Sequence, residues 1–428
     1  MTGRDAEMVM WLHGQQARLL DRAIGWAKIS SYSLDPAGLA RTADAIALAF
    51  GTFAAVRRTP VSPRRQIDDR GREVIQPLGD VLSIRHVAPR ERLSILLAIH
   101  YDTVYPPEDQ PPRIESADEG KKLRGPGVTD AKGGLVVLHA ALEAFMRFGA
   151  TDELSWEVLL NADEELGSPS SAPLLADAAG RHDLGLVFEP TLDEAGTLAA
   201  ARKGSGNFCV VIRGRAAHAG RAIADGRNAV VAAARLATCL TALGDQGHDV
   251  TVNVAAIHGG DALNVVPDLA VLRLNVRVAT KADAAWLTTR LDEAVAAVDQ
   301  RDGFSATLTG GFHGPPKPLD APTERLLDHV AACGRDLSIT ITARPTGGVC
   351  DGNKLAAAGL PTLDTLGVRG GGIHSPEEYL VVASLAERAA LTAVLLARLA
   401  DGSLAWPRRG SPTENARDDG PGTSPSCS

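Results

Sequence analysis

The chain of 428 residues is 45% hydrophobic and 22% charged, with a formal net charge of −8. A single core stops growing beyond roughly 250–300 residues, so two domains are expected in what the composition marks as a soluble, globular protein. The moderate, scattered negative charge argues against nucleic acid as a main partner.

The N-terminal stretch MTGRDAEMVMWLHGQQ lacks the long apolar core of a signal peptide, and the chain holds no run of about 18 apolar residues, so no membrane span is expected. Cys209, Cys239, Cys333, Cys350 and Cys427 are scattered and form no C-x-x-C pair. That spacing excludes a disulfide framework and a cysteine-based zinc site, and it fits a reducing, cytoplasmic setting. Helical apolar spacing covers residues 7–28 and 35–50. The short apolar run RLSILLAI (92–99) predicts a buried strand, and GGLVVLHAALEAFMRFGA (133–150) a helix. LSWEVLLNA (154–162) and DLGLVFEP (183–190) predict two further strands. Strands alternating with helices imply an α/β fold, a mostly parallel sheet with helices on both faces.

The middle third is organised differently. A strand at 206–214, a helix at 226–243, strands at 249–259 and 268–278, a helix at 281–300 and a strand at 303–311 follow in that order. This β-α-β-β-α-β succession is that of the ferredoxin-like split unit. About 110 residues suffice for a small domain, so it reads as an insertion within the larger one. The larger domain resumes near residue 312, with a helix (322–335), a strand (LSITITA, 337–343) and a closing helix (382–400). The last stretch, RRGSPTENARDDGPGTSPSCS, predicts a disordered tail.

Acids and histidines gather at strand ends, where open α/β sheets form their sites. His100 and Asp102 end the first apolar strand. Residues i and i+2 of an extended chain point the same way, so the imidazole and carboxylate suit a metal ligand and its orienting partner. A hydrogen-bonded histidine at a loop start would look the same. In GPGVTDAKGG (125–134), Asp130 precedes a helix and would also serve as a plain N-cap. Asp163, Glu164 and Glu165 follow a strand. Three adjacent acids repel one another unless something positive sits there, and a metal could hold one carboxylate while its neighbour handles a proton. A solvated acidic loop is the alternative. Glu189, in GLVFEPT, and His374, in RGGGIHSPEEY, are individually unremarkable loop residues. Together these positions supply two histidines and several carboxylates, the nitrogen and oxygen ligands that zinc accepts.

In their order and local wording, these motifs resemble the metal-dependent aminoacylase and carboxypeptidase family of acetylornithine deacetylase, succinyl-diaminopimelate desuccinylase and bacterial glutamate carboxypeptidase. The wording is nearest to the glutamate carboxypeptidase branch, and the resemblance runs from about residue 75 to 400. It implies a catalytic domain in two parts, 1–202 and 312–401, an inserted lid or dimerisation domain at 203–311, and a tail at 402–428. It implies two divalent metal ions, Zn2+ being expected and Co2+ or Mn2+ able to substitute. His100, Asp130 and Glu189 would hold one. Asp130, Glu165 and His374 would hold the other, with Asp130 bridging. Asp102 would orient His100, and Glu164 would act as general base and acid.

The same resemblance makes His218 the lid histidine, which in this family often reaches into the partner subunit's site, and so implies a homodimer. Asn264, in GGDALNVVPD, and Arg277, in LRLNVRV, would contact substrate, Arg277 by forking onto a carboxylate. Gly347 and Gly348, in TGGVCDGN, would admit close approach of substrate to the backbone. Cys350, in the same loop, has no triad partners and is expected to be packed rather than nucleophilic. Family aminopeptidases tend to have Asp where this chain has Glu189, so a small molecule with a blocked amine and a free carboxylate is the expected substrate. Some relatives place a carboxylate-binding arginine near residue 313. This chain has His313 and Lys317 there, which leaves a strict glutamate preference unsupported. The implied activity is cleavage of an N-acyl amino acid or release of a C-terminal amino acid. A dipeptidase, a carbamoyl- or allantoate-type amidase, or a metal-dependent binding protein without catalysis would share the scaffold.

Overall fold

The computed structural model describes residues 1–107 and 113–409. Leu93–His100 and Leu154–Asn161 are strands whose every residue is buried. Such continuous burial requires cover on both sheet faces, and helices supply it. These two strands run parallel, as do Leu93–His100 and Leu184–Val187. The six-stranded sheet is completed on one side by Thr362–Leu363, also parallel. On the other side Val81–His86 and Val56–Thr59 join antiparallel. The expected parallel centre is present, with two antiparallel strands at one edge.

On one face the helices Gly134–Phe148, Ser384–Ala400 and Gly3–Gly14 pack against one another and build the main core. On the other face Leu96, Ala98, Leu159 and Val187 meet Leu175 and Ala178 of the helix Ala172–Ala179 and Leu355 of the helix Asp351–Ala357. A second sheet has the strand order Val250–Gly259, Leu269–Val278, Gly204–Arg213, Ser305–Gly314, all antiparallel. Helices Ala229–Thr241 and Lys281–Asp299 cover one of its faces and share a separate hydrophobic core with it. This is the ferredoxin-like arrangement, and its last strand extends to Gly314.

The helical spacing over 7–28 takes the form of two helices, Gly3–Gly14 and Gln16–Ala27, because Gln15 leaves helical geometry at φ −93° and ψ 1°. Two expectations change. LSITITA is not a strand. Ser338 takes φ +59°, Ile339 and Ile341 pack against the core, and pairing with Leu198–Arg202 begins only at Ala343. The expected tail is packed at its start, where Trp406 Nε1 donates to the Asp183 carbonyl and the Arg409 N–H to Asp183 Oδ1. Its remainder, 410–428, lies outside the described residues.

One buried ion group joins distant segments. Asp364 is 0% exposed and accepts from Arg202 Nη2 at 2.8 Å and Lys317 Nζ at 3.0 Å. Burial alone would raise its pKa, but the two cations hold it down at about 2. A depressed carboxyl stabilises the fold fully above its unfolded value of about 4 and loses that contribution as the pH falls through the folded value. Asp364→Asn strands two buried cations and is expected to cost about 3–5 kcal/mol at neutral pH. It should also flatten the acid-induced loss of stability, as measured by urea unfolding across a pH series.

Candidate metal centre

The three parallel strands Leu93–His100, Leu154–Asn161 and Leu184–Val187 end on one side of the sheet, where His100, Glu165 and Glu189 lie at or just after them; Asp130 comes from the turn Val128–Gly133 and His374 from the loop after Gly370–Gly371. His100 is the last residue of its strand. Its Nε2 lies 3.0 Å from Asp130 Oδ1 and 3.7 Å from Glu189 Oε2. His374 Nε2 lies 3.3 Å from Asp130 Oδ2 and 3.2 Å from Glu165 Oε2. His100, Asp130 and Glu189 form one group, and Asp130, Glu165 and His374 another, each with ligand atoms within 4.8 Å of one another. Asp130 belongs to both and turns one carboxylate oxygen to each histidine.

Asp102 is fully buried, with Oδ1 3.3 Å from His100 Nδ1. The same carboxylate accepts from Ser33 Oγ at 2.7 Å and from the N–H groups of Glu164 and Glu165 at 3.2 Å. The Asp102 backbone carbonyl lies closer to the ring, 3.1 Å from His100 Nδ1, so both groups of this residue face the first histidine, while its carboxylate fixes the turn that carries the two glutamates. The three adjacent acids divide their work. Asp163 accepts from the N–H groups of Ser170 and Ser171 and from Ser171 Oγ, so it closes the turn. Glu165 joins the second group, and Glu164 belongs to neither. Below this turn, Asn161 and Ser168 donate to Asp351, which also pairs with Lys354 Nζ at 2.9 Å.

The carboxylates outnumber the imidazoles, and the electrostatics show the strain. Burial pushes Glu165 up to about 7, with the neighbouring Asp130 charge adding to the rise against His374. Burial also raises Glu189 and carries Glu164 well above the usual carboxylate range, in each case against His100. For Asp130 burial would do the same, but His100 and His374 outweigh it and hold the group low. Burial would lower His100, yet Glu189, Asp102 and Asp130 lift it well above its ordinary value. Glu165 Oε1 and Glu189 Oε1 are buried without a hydrogen-bond partner. Unsatisfied buried carboxylate oxygens, excess negative charge and a mixed nitrogen–oxygen donor set all fit a pair of divalent cations.

The remaining expected site residues lie elsewhere. His218 and Asn264 are exposed at one end of the inserted unit, where Ala219 N–H donates to the Asn264 carbonyl and His218 bridges Val265. His218 belongs to neither group of candidate ligands. Arg277 is half-buried opposite Ser205 on the second sheet, and burial lowers its pKa with no carboxylate opposing the shift. Gly347 and Gly348 are exposed, and a Cβ on Gly347 would meet open space, so nothing within the chain demands glycine there. Lys317 is unavailable to a substrate because Asp364 holds it in the interior. His313 packs on Gly167, which adopts φ +88° just after the glutamates; a Cβ there would lie 2.7 Å from the imidazole ring. Cys350 is 3% exposed, and burial pushes its thiol well above the ordinary value, as suits a packed residue. Ser33, Arg202 and Asp351 escaped the sequence reading because each acts on a partner far away in the chain. Arg202 Nη1, for one, donates to the Gly348 carbonyl at 3.2 Å.

An α/β sheet with two histidines, a shared carboxylate and a free glutamate at its edge defines a metal-dependent hydrolase. Residues 96–398 match the profile of Peptidase family M20/M25/M40, and the chain belongs to that family. It is a hydrolase of amide and peptide C–N bonds. Carboxypeptidase G2 of Pseudomonas sp. (strain RS-16) is 31% identical to it over 326 residues, 72% of this chain and 74% of the relative. Succinyl-diaminopimelate desuccinylase of Paracidovorax citrulli (strain AAC00-1) is 27% identical over 307 residues, 68% and 77% of the two chains. In fold, a di-peptidase from Saccharomyces cerevisiae superposes with a TM-score of 0.70 at 14% identity, covering 94% of this chain and 99% of that one. Among the described residues, no helix is long and apolar enough to cross a membrane.

Metal analysis of loaded protein is expected to find two divalent ions per chain. Asp130→Ala should lose both ions, whereas His374→Ala and Glu189→Ala should each retain about one, because only Asp130 is shared.

Proposed function

We propose that the protein hydrolyses the amide bond of N-acyl amino acids, or releases a C-terminal amino acid, from substrates that carry a free carboxylate. The observation that carries this reading is Glu164, a carboxylate beside Glu165 but in neither group of candidate ligands. His100, Asp130 and Glu189 would hold one cation, and Asp130, Glu165 and His374 the other. Two divalent ions, with Zn2+ the expected metal and Co2+ or Mn2+ able to replace it, would supply positive charge that acidifies water and polarises the scissile carbonyl. Glu164 takes a proton from the attacking water and returns it to the leaving nitrogen as the C–N bond breaks. Asp102 holds the His100 ring in one orientation and tautomer. Arg277, with no acid opposing its charge, suits the substrate carboxylate. Asn264 and the backbone at Gly347 and Gly348 complete the substrate contacts in this reading.

A developing oxyanion needs a donor, and His218 is the candidate. It is exposed on the inserted unit, where Ile223, Leu263 and Val265 leave apolar surface in the open. Exposed apolar clusters of this kind mark contact surfaces. The reading is therefore a homodimer, placed in the cytoplasm on the scattered, unpaired cysteines. Residues 203–311 would serve as lid and dimer contact, and each His218 would serve the site of the other subunit.

Glu164→Gln should keep its metal content and lose about 10²–10⁴-fold in kcat, measured on a panel of N-acyl amino acids with metal analysis alongside. Near-normal turnover in that variant would remove the mechanism. The shared-site reading has its own check. Glu164→Gln and His218→Ala, each inactive alone, should regain about a quarter of wild-type activity when unfolded and refolded together, the share expected from random pairing. A mixture that stays inactive while forming dimers refutes delivery of His218 across the interface.

A further inference from the structure

Glu378 stands four residues after His374, is fully buried and belongs to neither group of candidate ligands. Its carboxylate nevertheless collects four donors. Oε1 accepts the N–H groups of Thr129 at 2.8 Å and Asp130 at 2.9 Å. Oε2 accepts the Gly127 N–H at 3.0 Å and the Tyr105 hydroxyl at 2.6 Å. Its backbone carbonyl takes the Gly125 N–H at 3.1 Å, continuing the antiparallel pairing of Tyr379–Val381 with Lys122–Arg124.

Three loops thus meet on one side chain. Tyr105 follows His100 and Asp102, residues 127–130 carry the shared Asp130, and Glu378 itself ends the His374 loop. The 125–130 segment is irregular: Gly127 takes φ +71°, and Asp130, at φ −114° and ψ 94°, leaves helical geometry inside the π-helical turn Val128–Gly133, so the N–H groups of 127, 129 and 130 are not held by a regular ladder. Its inward N–H groups would be orphaned without an acceptor. A carboxylate can accept all four bonds, two on each oxygen, whereas an amide would turn its own N–H groups toward two of these donors.

We propose that Glu378 is a positioning residue that sets the spacing of the two metal sites by locking the Asp130 loop to the loops of His100 and His374. It touches no substrate. Its effect passes through Asp130, whose two oxygens must face different histidines at once. The proposal rests on the ligand assignment made above.

Co2+ titration of metal-free protein, followed by visible absorption and metal analysis, tests it. Glu378→Gln is expected to bind the second Co2+ about 10–100-fold more weakly. Its Co2+ spectrum should be altered, and kcat should fall more than KM changes, while the metal-free protein melts near the wild-type temperature. Uptake of both ions with wild-type affinity and spectrum would overturn the proposal. Should Glu378→Gln not fold, Tyr105→Phe removes a single donor and leaves the carboxylate in place. A smaller loss of Co2+ affinity in the same direction supports the proposal, and unchanged affinity and spectrum overturn it. Wild-type protein titrated alongside separates the two levels of failure. Failure of the wild type to bind paired Co2+ removes the ligand assignment and the positioning role together. Normal wild-type binding with an equally competent variant removes only the positioning role.

Discussion

Everything at the sheet edge depends on one carboxylate shared between two histidines. Asp130 Oδ1 faces His100 and Oδ2 faces His374, so a single side chain defines both halves of the centre. Glu165 and Glu189 complete the two groups, and Glu164 stands close enough for its charge to be felt. Like charges packed this tightly, with buried oxygens left unsatisfied, oppose folding unless cations neutralise them. The fold concentrates negative charge where a family of metal-dependent hydrolases needs it. The upward shifts of Glu164, Glu165 and Glu189 are the electrostatic trace of that concentration.

Holding such a cluster requires supports with more than one attachment. Asp102 touches the His100 ring and the backbone of both glutamates, so one side chain ties the first candidate ligand to the Glu164–Glu165 turn. Asp163 and Asp351 brace that turn from beneath. Glu378 gathers the Asp130 loop from the other side. Farther out, the Arg202–Asp364–Lys317 group ties the start of the inserted unit to the return of the main domain, and Arg202 reaches the Gly348 carbonyl. These supports all lie around the candidate ligands, whereas His218, Asn264 and Arg277 belong to the inserted unit, whose sheet has its own core.

Much of this was legible in the chain. Fully apolar runs such as Leu93–His100 announce a strand covered on both faces, and the β-α-β-β-α-β order announces the inserted unit. His100, Asp130, Glu165, Glu189 and His374 were recognisable because their neighbouring residues match a family pattern. The short strands Arg64–Ile67 and Glu73–Gln76 were not, since that hairpin is charged and carries no apolar alternation. It lies against the second sheet through Arg273, which donates to the Ile67 carbonyl and to Asp69. The strand placed at 337–343 failed for the opposite reason. Its alternation is real, but Ile339 and Ile341 serve the core, and a sheet partner exists only from Ala343.

By itself, the sequence determined which residue types meet at the strand ends, and with them the class of chemistry, because local patterns of burial and motif wording are properties of neighbouring residues. Only the tertiary structure decided that Asp163 closes the turn of the two glutamates, that Lys317 is spent on Asp364, and that Glu378 accepts the Asp130 N–H. The last two outcomes depend on partners tens to hundreds of residues away. A side chain's donors and acceptors are assigned by the folded geometry rather than by its position in the chain.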